Sequence, residues 1–246
     1  MPASPPSISV IVVCRNPGAR LRTALESVWA QTFLPELVVI DGASTDGSRE
    51  WLESQRPRIA ALVSEPDAGI YPAMNKGLAA TTADWVLFLG ADDRLATPTT
   101  LAEAANSLAT TDASVASGEA RFDDGRLYSF GGIHTAIRRN FVHHQATFYR
   151  RALFTRHGSF DSSLRIQADY EFNLRLLRRR ERFARLALRV ADCASGGLSD
   201  SGRLQNYREE IVARHRHFAA VRCLPWDALS VARFIRKQIL KRLRRA

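Results

Sequence analysis

The sequence predicts an α/β fold, an open and mostly parallel sheet flanked by helices. Three observations predict it. Short runs of apolar, aromatic and β-branched residues, SISVIVV at Ser7–Val13, then Leu37–Ile40 and Trp85–Leu89, read as strands buried on both faces. Between them, apolar residues recur at helical spacing, as in Leu21, Leu25, Val28 and Trp29. Three acids, Asp41, Asp67 and Asp92, each stand at or just beyond the carboxyl end of a predicted strand. Open α/β sheets gather their chemistry at that edge.

In chain order, the first strand is followed by a polar loop, with Pro17 near the start of a helix over Ala19–Ala30. The strand Leu37–Ile40 ends at Asp41, and in the loop DGASTDGS either Ser44 or Asp46 can cap a helix through Glu50 and Leu52. A short strand over Ile59–Val63 leads through EPDAGIY into a helix carrying Met74, Asn75 and Lys76. Trp85–Leu89 then runs into Gly90, Ala91, Asp92 and Asp93. Carboxylates there are hard oxygen ligands for a divalent ion, or simply caps for the helix that follows Pro98.

Beyond a helix over Thr99–Leu108 and a strand over Ala113–Ser117 the pattern changes. Asp123-Asp124-Gly125 between two short alternating runs predicts a hairpin over Arg121–Ser129. A strand is expected over His144–Tyr149, a helix over Asp169–Arg179, a strand over Phe183–Val190 and a polar helix over Leu204–Phe218. Adjacent residues on a strand face opposite ways, so His144 is expected in a cleft and His143 at the surface or in the core. The turn GGLS, Gly196–Ser199, needs no function of its own.

Length and composition exclude several classes. The 246 residues carry 46% hydrophobic and 24% charged residues, which suits one large domain with a proper core. The three cysteines, Cys14, Cys193 and Cys223, are scattered, with no metal-ligand spacing and no disulfide framework. The N-terminus lacks the basic and apolar regions of a signal peptide, and no apolar run reaches membrane-spanning length. The chain has neither GxGxxG nor GxxxxGK[ST], so dinucleotide and P-loop fingerprints are missing.

The formal charge of +10 is uneven: Asp227–Ala246 holds seven basic residues against one acid. In that tail Trp226, Leu229, Ala232, Ile235, Ile239 and Leu243 recur at helical spacing between the basic residues. This pattern fits an amphipathic helix lying on an anionic membrane surface, or a terminal helix packed on the domain. No nucleic-acid-binding pattern accompanies it.

Six ordered segments from Ser7 to about Ser199 resemble the inverting family 2 glycosyltransferases with the GT-A fold, especially bacterial members that build polysaccharides and glycolipids. They are ISVIVVCRN, VVIDGASTDGS, EPDAGIYPAMNKG, WVLFLGADD, HHQATFYRR and FDSSLRIQADYEFNLRL. The resemblance implies a donor-binding half at 1–118, an acceptor-side half of the same domain at 119–218 and a basic tail at 219–246. It implies donor contacts from Arg15, Asp41, Asp46, Asp67, Asn75, Lys76 and Asp93. Asp41 would meet the nucleobase, and Asp92 would hold Mg²⁺ or Mn²⁺. Asp169 would be the catalytic base, with His144, Tyr170 and Glu171 on the acceptor side. The chain departs from the family's Asp-x-Asp motif by carrying Gly90 at its first position.

The expected function is inverting transfer of a sugar from a nucleotide-sugar donor to a hydroxyl of a lipid-linked or polysaccharide precursor. Such an enzyme would be cytoplasmic and peripheral on the inner face of the membrane. A nucleotidyltransferase on a related α/β fold would also place acids at strand ends. So would a sugar-nucleotide or glycan-binding protein without turnover.

Overall fold

The computed structural model describes residues 5–197 and 203–243. Ser199 of the GGLS turn, and Arg244 and Arg245 of the tail, lie outside them. Nine strands among the described residues form one sheet: β1 (Ile8–Cys14), β2 (Glu36–Asp41), β3 (Ala61–Ser64), β4 (Trp85–Gly90), β5 (Arg94–Leu95), β6 (Val115–Phe122), β7 (Leu127–Tyr128), β8 (Thr147–Arg150) and β9 (Phe183–Cys193). Their spatial order is β3-β2-β1-β4-β8-β6-β9-β5, with β7 hairpinned onto β6. The ladders β3–β2–β1–β4 and β6–β9 are parallel. β8 lies antiparallel between β4 and β6 and welds the two parallel sets into one sheet.

The buried runs are strands because both their faces are covered. Val10, Val12, Leu87 and Leu89 point into one apolar layer with Leu21, Leu25 and Val28 of α1 (Arg20–Trp29) and Leu101 and Leu108 of α4 (Thr100–Thr110). Ile11, Val86 and Phe88 point the other way. There they meet Met74 and Leu78 of α3 (Ile70–Ala80), Phe154 of α5 (Ala152–His157) and Phe172 and Leu176 of α6 (Ala168–Arg178). A short helix α2 (Ser48–Ser54) follows β2, and Leu52 joins the first layer. Both layers follow from β1 and β4 being apolar on both faces.

The second half differs from expectation in instructive places. No strand begins at His144: residues His144–Ala146 form a turn of 3-10 helix, and β8 starts at Thr147. The short α5 and β5 have no sequence signal of their own, being too brief for a periodicity. Neither Asp92 nor Asp93 caps a helix, since β5 follows them and α4 begins only at Thr100. Position 118, where the donor half was expected to end, falls inside β6.

At the C-terminus α7 (Leu204–His217) packs on α6, and α8 (Ala220–Leu243) packs on α7. The fully buried Arg214 side chain anchors α8: its guanidinium bonds Asp227 at 3.0 Å and Ser230 at 2.7 Å, and pairs with Glu210 at 3.2 Å. Glu210 also takes Arg233 at 2.7 Å, so that arginine is committed to the domain. On the opposite face of α8, Val221, Leu224, Val231, Ile235 and Ile239 remain exposed.

Candidate active site

The strand ends converge on an open cleft of about 1220 Å³ at the carboxyl edge of the parallel strands. One wall is built from the loop after β1 (Cys14 to Arg20), the entry to α3 (Asp67 to Tyr71) and the end of β4 (Gly90 to Asp92). The other wall is built from the β6–β7 hairpin, residues 139–145 and the mouth of α6 with Asp169. The segment after β9, with Ala194, Gly196 and Gly197, closes one side. Of the residues singled out in the sequence, Arg15, Asp67, Asp92, His144 and Asp169 line this cleft together.

The others are not among its lining residues. Asp41 is wholly buried, and its carboxylate accepts the Ser44 N–H at 3.0 Å, the Ser64 hydroxyl at 2.6 Å, the Ser44 hydroxyl and the Cys14 thiol at 3.6 Å. Ser44 in turn accepts the Asn16 N–H at 2.8 Å, and Asp46 accepts the Gly18 N–H at 2.8 Å. These two acids knit the loop after β2 to the loop that carries Arg15. Asn75 clamps the backbone of Phe160 from both its amide atoms. Lys76 reaches Asp67 at 2.6 Å and Glu65 at 2.7 Å, and so holds the Asp67 wall.

Tyr170 and Glu171 do not line the cleft either. α6 is buried on several sides, so its next two residues turn into packing: Tyr170 donates to the Ala136 carbonyl at 2.6 Å, and Glu171 pairs with Arg175 and with His217 at 2.8 Å. Of the three residues expected on the acceptor side, only His144 lines the cleft.

Around Asp92 and Asp93 the two neighbouring carboxylates separate cleanly in role. Asp93 is buried, accepting the Ala194 N–H at 2.9 Å and the Gln145 side-chain amide. Burial, and then the charge of Asp92, pushes its carboxyl above the usual range. Asp92 is the exposed one, 47% accessible, with Arg20 only at 3.9 Å. Among the described residues no cluster of three or more His, Cys, Asp or Glu side chains forms a self-sufficient metal cage. A lone, hard, outward-facing carboxylate does fit a divalent ion held jointly with phosphate oxygens, the usual way Mg²⁺ is bound.

Across the cleft, the Asp169 carboxylate collects donors from four places. Tyr71 donates its hydroxyl at 2.9 Å and Tyr170 its N–H at 2.8 Å, both to Oδ1. Asn140 Nδ2 lies 2.9 Å and His144 Nδ1 3.3 Å from Oδ2. Burial pushes this carboxyl up, but His144, Tyr71 and the Tyr170 N–H together outweigh it and hold it below the usual value. Tyr71 and Asn140 were not singled out in the sequence. Tyr71 lies in EPDAGIYPAMNKG, but nothing local marks its hydroxyl as the partner of a residue 98 positions away.

The paired histidines stack on each other, rings 5.4 Å apart and 10° from parallel, because they sit on a tight turn and not on a strand. His143 is packed against Phe122 and Tyr128, and burial, with the His144 charge, pushes it down to about 3. It is a neutral wedge behind His144.

A family model described as glycosyl transferase family 2 matches residues 9–169, well over half of the chain and all of the first wall. The chain belongs to glycosyl transferase family 2. A PGL/p-HBAD biosynthesis glycosyltransferase of Mycobacterium tuberculosis is 35% identical over 180 residues, covering 69% of each chain. A second M. tuberculosis protein, described as an uncharacterized glycosyltransferase, is 34% identical over 191 residues, covering 70% of this chain and 69% of its own.

The fold is that of the GT-A glycosyltransferases. Residues 1–349 of Staphylococcus aureus TarS in complex with UDP-GlcNAc superpose with a TM-score of 0.71 at 20% identity, covering 92% of this chain and 71% of that one. The present chain spans 43% of the length of the longer TarS chain. A mannosyltransferase of Pyrobaculum calidifontis in complex with GDP-Man and Mn²⁺ gives 0.65 at 23% identity, covering 94% of this chain and 75% of that one.

Proposed function

We propose that this family 2 enzyme transfers a sugar, with inversion, from a nucleotide-sugar donor to a hydroxyl of a lipid-linked or polysaccharide precursor. One observation carries the reading: a single cleft has the exposed Asp92 carboxylate on one wall and the Asp169–His144 pair on the other. Inverting transfer needs a stabiliser for the departing diphosphate and a proton acceptor on the opposite side of the reacting carbon. Mg²⁺ or Mn²⁺ bound at Asp92 would supply the first, by neutralising charge on the leaving diphosphate. Arg15 and the Asp67–Lys76 pair would shape the donor side, while Asp41, Asp46, Asn75 and Asp93 act from behind by fixing the loops that meet it.

Relatives support a nucleotide-sugar donor, since TarS is described with UDP-GlcNAc and the mannosyltransferase with GDP-Man. The test is a thermal-shift screen of UDP- and GDP-sugars with and without Mn²⁺, followed by assay of nucleoside diphosphate release. A ligand that binds the folded state raises its apparent stability by mass action. Stabilisation by at least one nucleotide sugar, enhanced by Mn²⁺, is expected; no shift and no release with any of them overturns the reading.

The enzyme is further proposed to work at the inner face of the cell membrane. No described helix is long and apolar enough to cross a bilayer. Supporting a peripheral association, α8 presents Val221, Leu224, Val231, Ile235 and Ile239 away from the domain, with Arg236 and Arg242 exposed beside them. Each cation near an anionic surface adds on the order of 1 kcal/mol. Deleting residues 239–246 and replacing Ile235→Glu should move the protein off phosphatidylserine vesicles in a sedimentation assay. Sedimentation equal to that of the full chain sinks the tether.

A further inference from the structure

We propose that the acceptor carries a phosphate group close to its reacting hydroxyl, and that Arg139 and Arg165 bind that group from either side of Asp169. The proposal rests on the glycosyl-transfer reading above and deepens it by naming the chemical class of the acceptor.

The first argument is placement. Arg139 and Arg165 both line the cleft, on the wall that holds Asp169. Arg139 directly precedes Asn140, whose side chain donates to Asp169 Oδ2 at 2.9 Å. Arg165 directly precedes Ile166, whose carbonyl lies 2.8 Å from the Tyr71 hydroxyl, the same group that meets Asp169 Oδ1 at 2.9 Å. The two arginines therefore leave the chain beside opposite oxygens of the acid expected to take the acceptor's proton. A group held between them belongs to the molecule that presents its hydroxyl there.

The second argument is that their backbones are fixed while their side chains are unspent. The buried Glu209 of α7 accepts the N–H groups of Arg165, Ile166 and Gln167 at 3.1, 2.7 and 3.0 Å. The Arg139 N–H bonds the Thr135 carbonyl at 3.3 Å, and the buried Arg214 of α7 reaches the neighbouring Arg138 carbonyl at 3.4 Å. Both residues are nevertheless exposed, and among the described residues neither guanidinium has a hydrogen bond or an ion pair. Arginines elsewhere on the second half are matched with acids: Arg156 with Glu181, Arg175 with Glu171 and Arg216 with Asp161. Arg126, the third arginine on this wall, is held by Asp124 at 2.7 Å.

The third argument is charge. This wall sets three arginines against one carboxylate, Asp169, which already accepts from Tyr71, Asn140 and the Tyr170 N–H. The donor's diphosphate would meet Arg15 and the metal at Asp92, across the cleft. A neutral glycan gives a guanidinium no charge to neutralise. A phosphate carries about −1 to −2 and several acceptor oxygens, and the planar fork of arginine matches it with paired hydrogen bonds. Two guanidiniums from different segments can share one phosphate, whereas a carboxylate is satisfied by a single fork. The phosphate can bridge the acceptor to a lipid or sit in a polyol backbone; the chemistry that the arginines read is the same.

The experiment titrates the full chain by calorimetry, saturated with Mn²⁺ and whichever of UDP and GDP it binds, so that the donor side is filled. The probes are butyl phosphate, glycerol 1-phosphate, pentanoate and butyl glucoside. Both phosphates should bind, and the tighter of them identifies a lipid bridge or a polyol backbone as the source. Arg139→Gln and Arg165→Gln should each weaken that binding roughly tenfold, the worth of one charge-assisted hydrogen bond. Arg156→Gln, which removes an equal charge outside the cleft, should leave it unchanged. All three positions are exposed, so the melting temperatures should match wild type. Pentanoate or butyl glucoside binding as tightly as the phosphates overturns the proposal, as does phosphate binding indifferent to R139Q and R165Q. A loss of nucleotide affinity in those two variants as large as the loss for phosphate also overturns it, by giving the arginines to the donor. A chain that binds neither nucleotide counts against the glycosyl-transfer reading instead, and the same titrations without nucleotide still decide this one.

Discussion

The carboxylate of Asp93 occupies the space into which a side chain at Gly90 would project: a Cβ there would stand 2.3 Å from Asp93 Oδ2. The glycine at the first position of the family's acidic motif is therefore required by its neighbour. Asp93 cannot swing aside cheaply, because Gln145 and the Ala194 N–H hold it. Gly90→Ala should destabilise the protein by about 1–3 kcal/mol, the cost of unmaking buried polar contacts, read as a shift in the urea midpoint. Gly90→Asp, which restores the commoner motif, should be worse and should not strengthen Mn²⁺ dependence. A fully stable G90D protein would mean that Asp93 has another place to go.

Asp92 should behave as a metal-dependent residue without structural cost, since it is half exposed and, among the described residues, pairs only with Arg20, at 3.9 Å. Asp92→Ala should keep the wild-type melting temperature and lose at least about a hundredfold in donor turnover, the order of removing one strong electrostatic stabiliser. Chelator should abolish wild-type turnover, and Mn²⁺ should restore wild type but not the variant. Turnover indifferent to chelator rejects the assignment.

Asp227 on α8 should matter to stability far more than its place near the chain end suggests. It is a partner of the fully buried Arg214, which it meets at 3.0 Å. Asp227→Ala should cost about 3 kcal/mol, the lower end for breaking a buried ion pair, because Glu210 remains. Denaturant titration checks it; a change within about 0.5 kcal/mol, the scale of an ordinary surface substitution, refutes it. A truncation meant to remove the exposed end of α8 must accordingly begin beyond Arg233.

Glu171 supplies the pH prediction. Burial raises its carboxyl, but His217 and Arg175 lower it more, so its folded value lies below the ordinary 4.5. A depressed carboxylate contributes stability that is fully present above the unfolded value and lost as pH falls through the folded one. The stability gap between wild type and Glu171→Gln should therefore be widest above about pH 5 and close progressively below 4.5. Urea midpoints at a series of pH values check it, and a gap that widens on acidification contradicts it.

What the sequence disclosed follows from how local its signals are. β1, β2 and β4 announce themselves because each is an unbroken apolar run covered on both faces. Asp92 and Asp169 were findable as acids at the mouths of elements. The company Asp169 keeps was not: Tyr71 and Asn140 come to it from 98 and 29 residues away, through strand order that no local pattern encodes. The same holds for Asp41, whose position at the end of β2 was plain but whose carboxylate is bonded by Ser64 at the end of β3. His144 was expected at the start of a strand over His144–Tyr149. Instead His144–Ala146 form a tight turn before β8, in which Gln145 bonds Asp93 just past the neighbouring β4.

The antiparallel β8 also bears on how the chain can be made. Trp85, Val86 and Leu87 of β4 pair with Arg150, Tyr149 and Phe148 of β8, and the other edge of β8 pairs with Val115, Ala116 and Ser117. A nascent chain that has not yet released residue 150 from the ribosome, or a fragment ending near 118, leaves a raw apolar edge on β4. Such an edge recruits strands from other chains. The donor-side half is thus not a separable module for expression, and intermolecular pairing through β4 is the expected failure whenever β8 is late or missing.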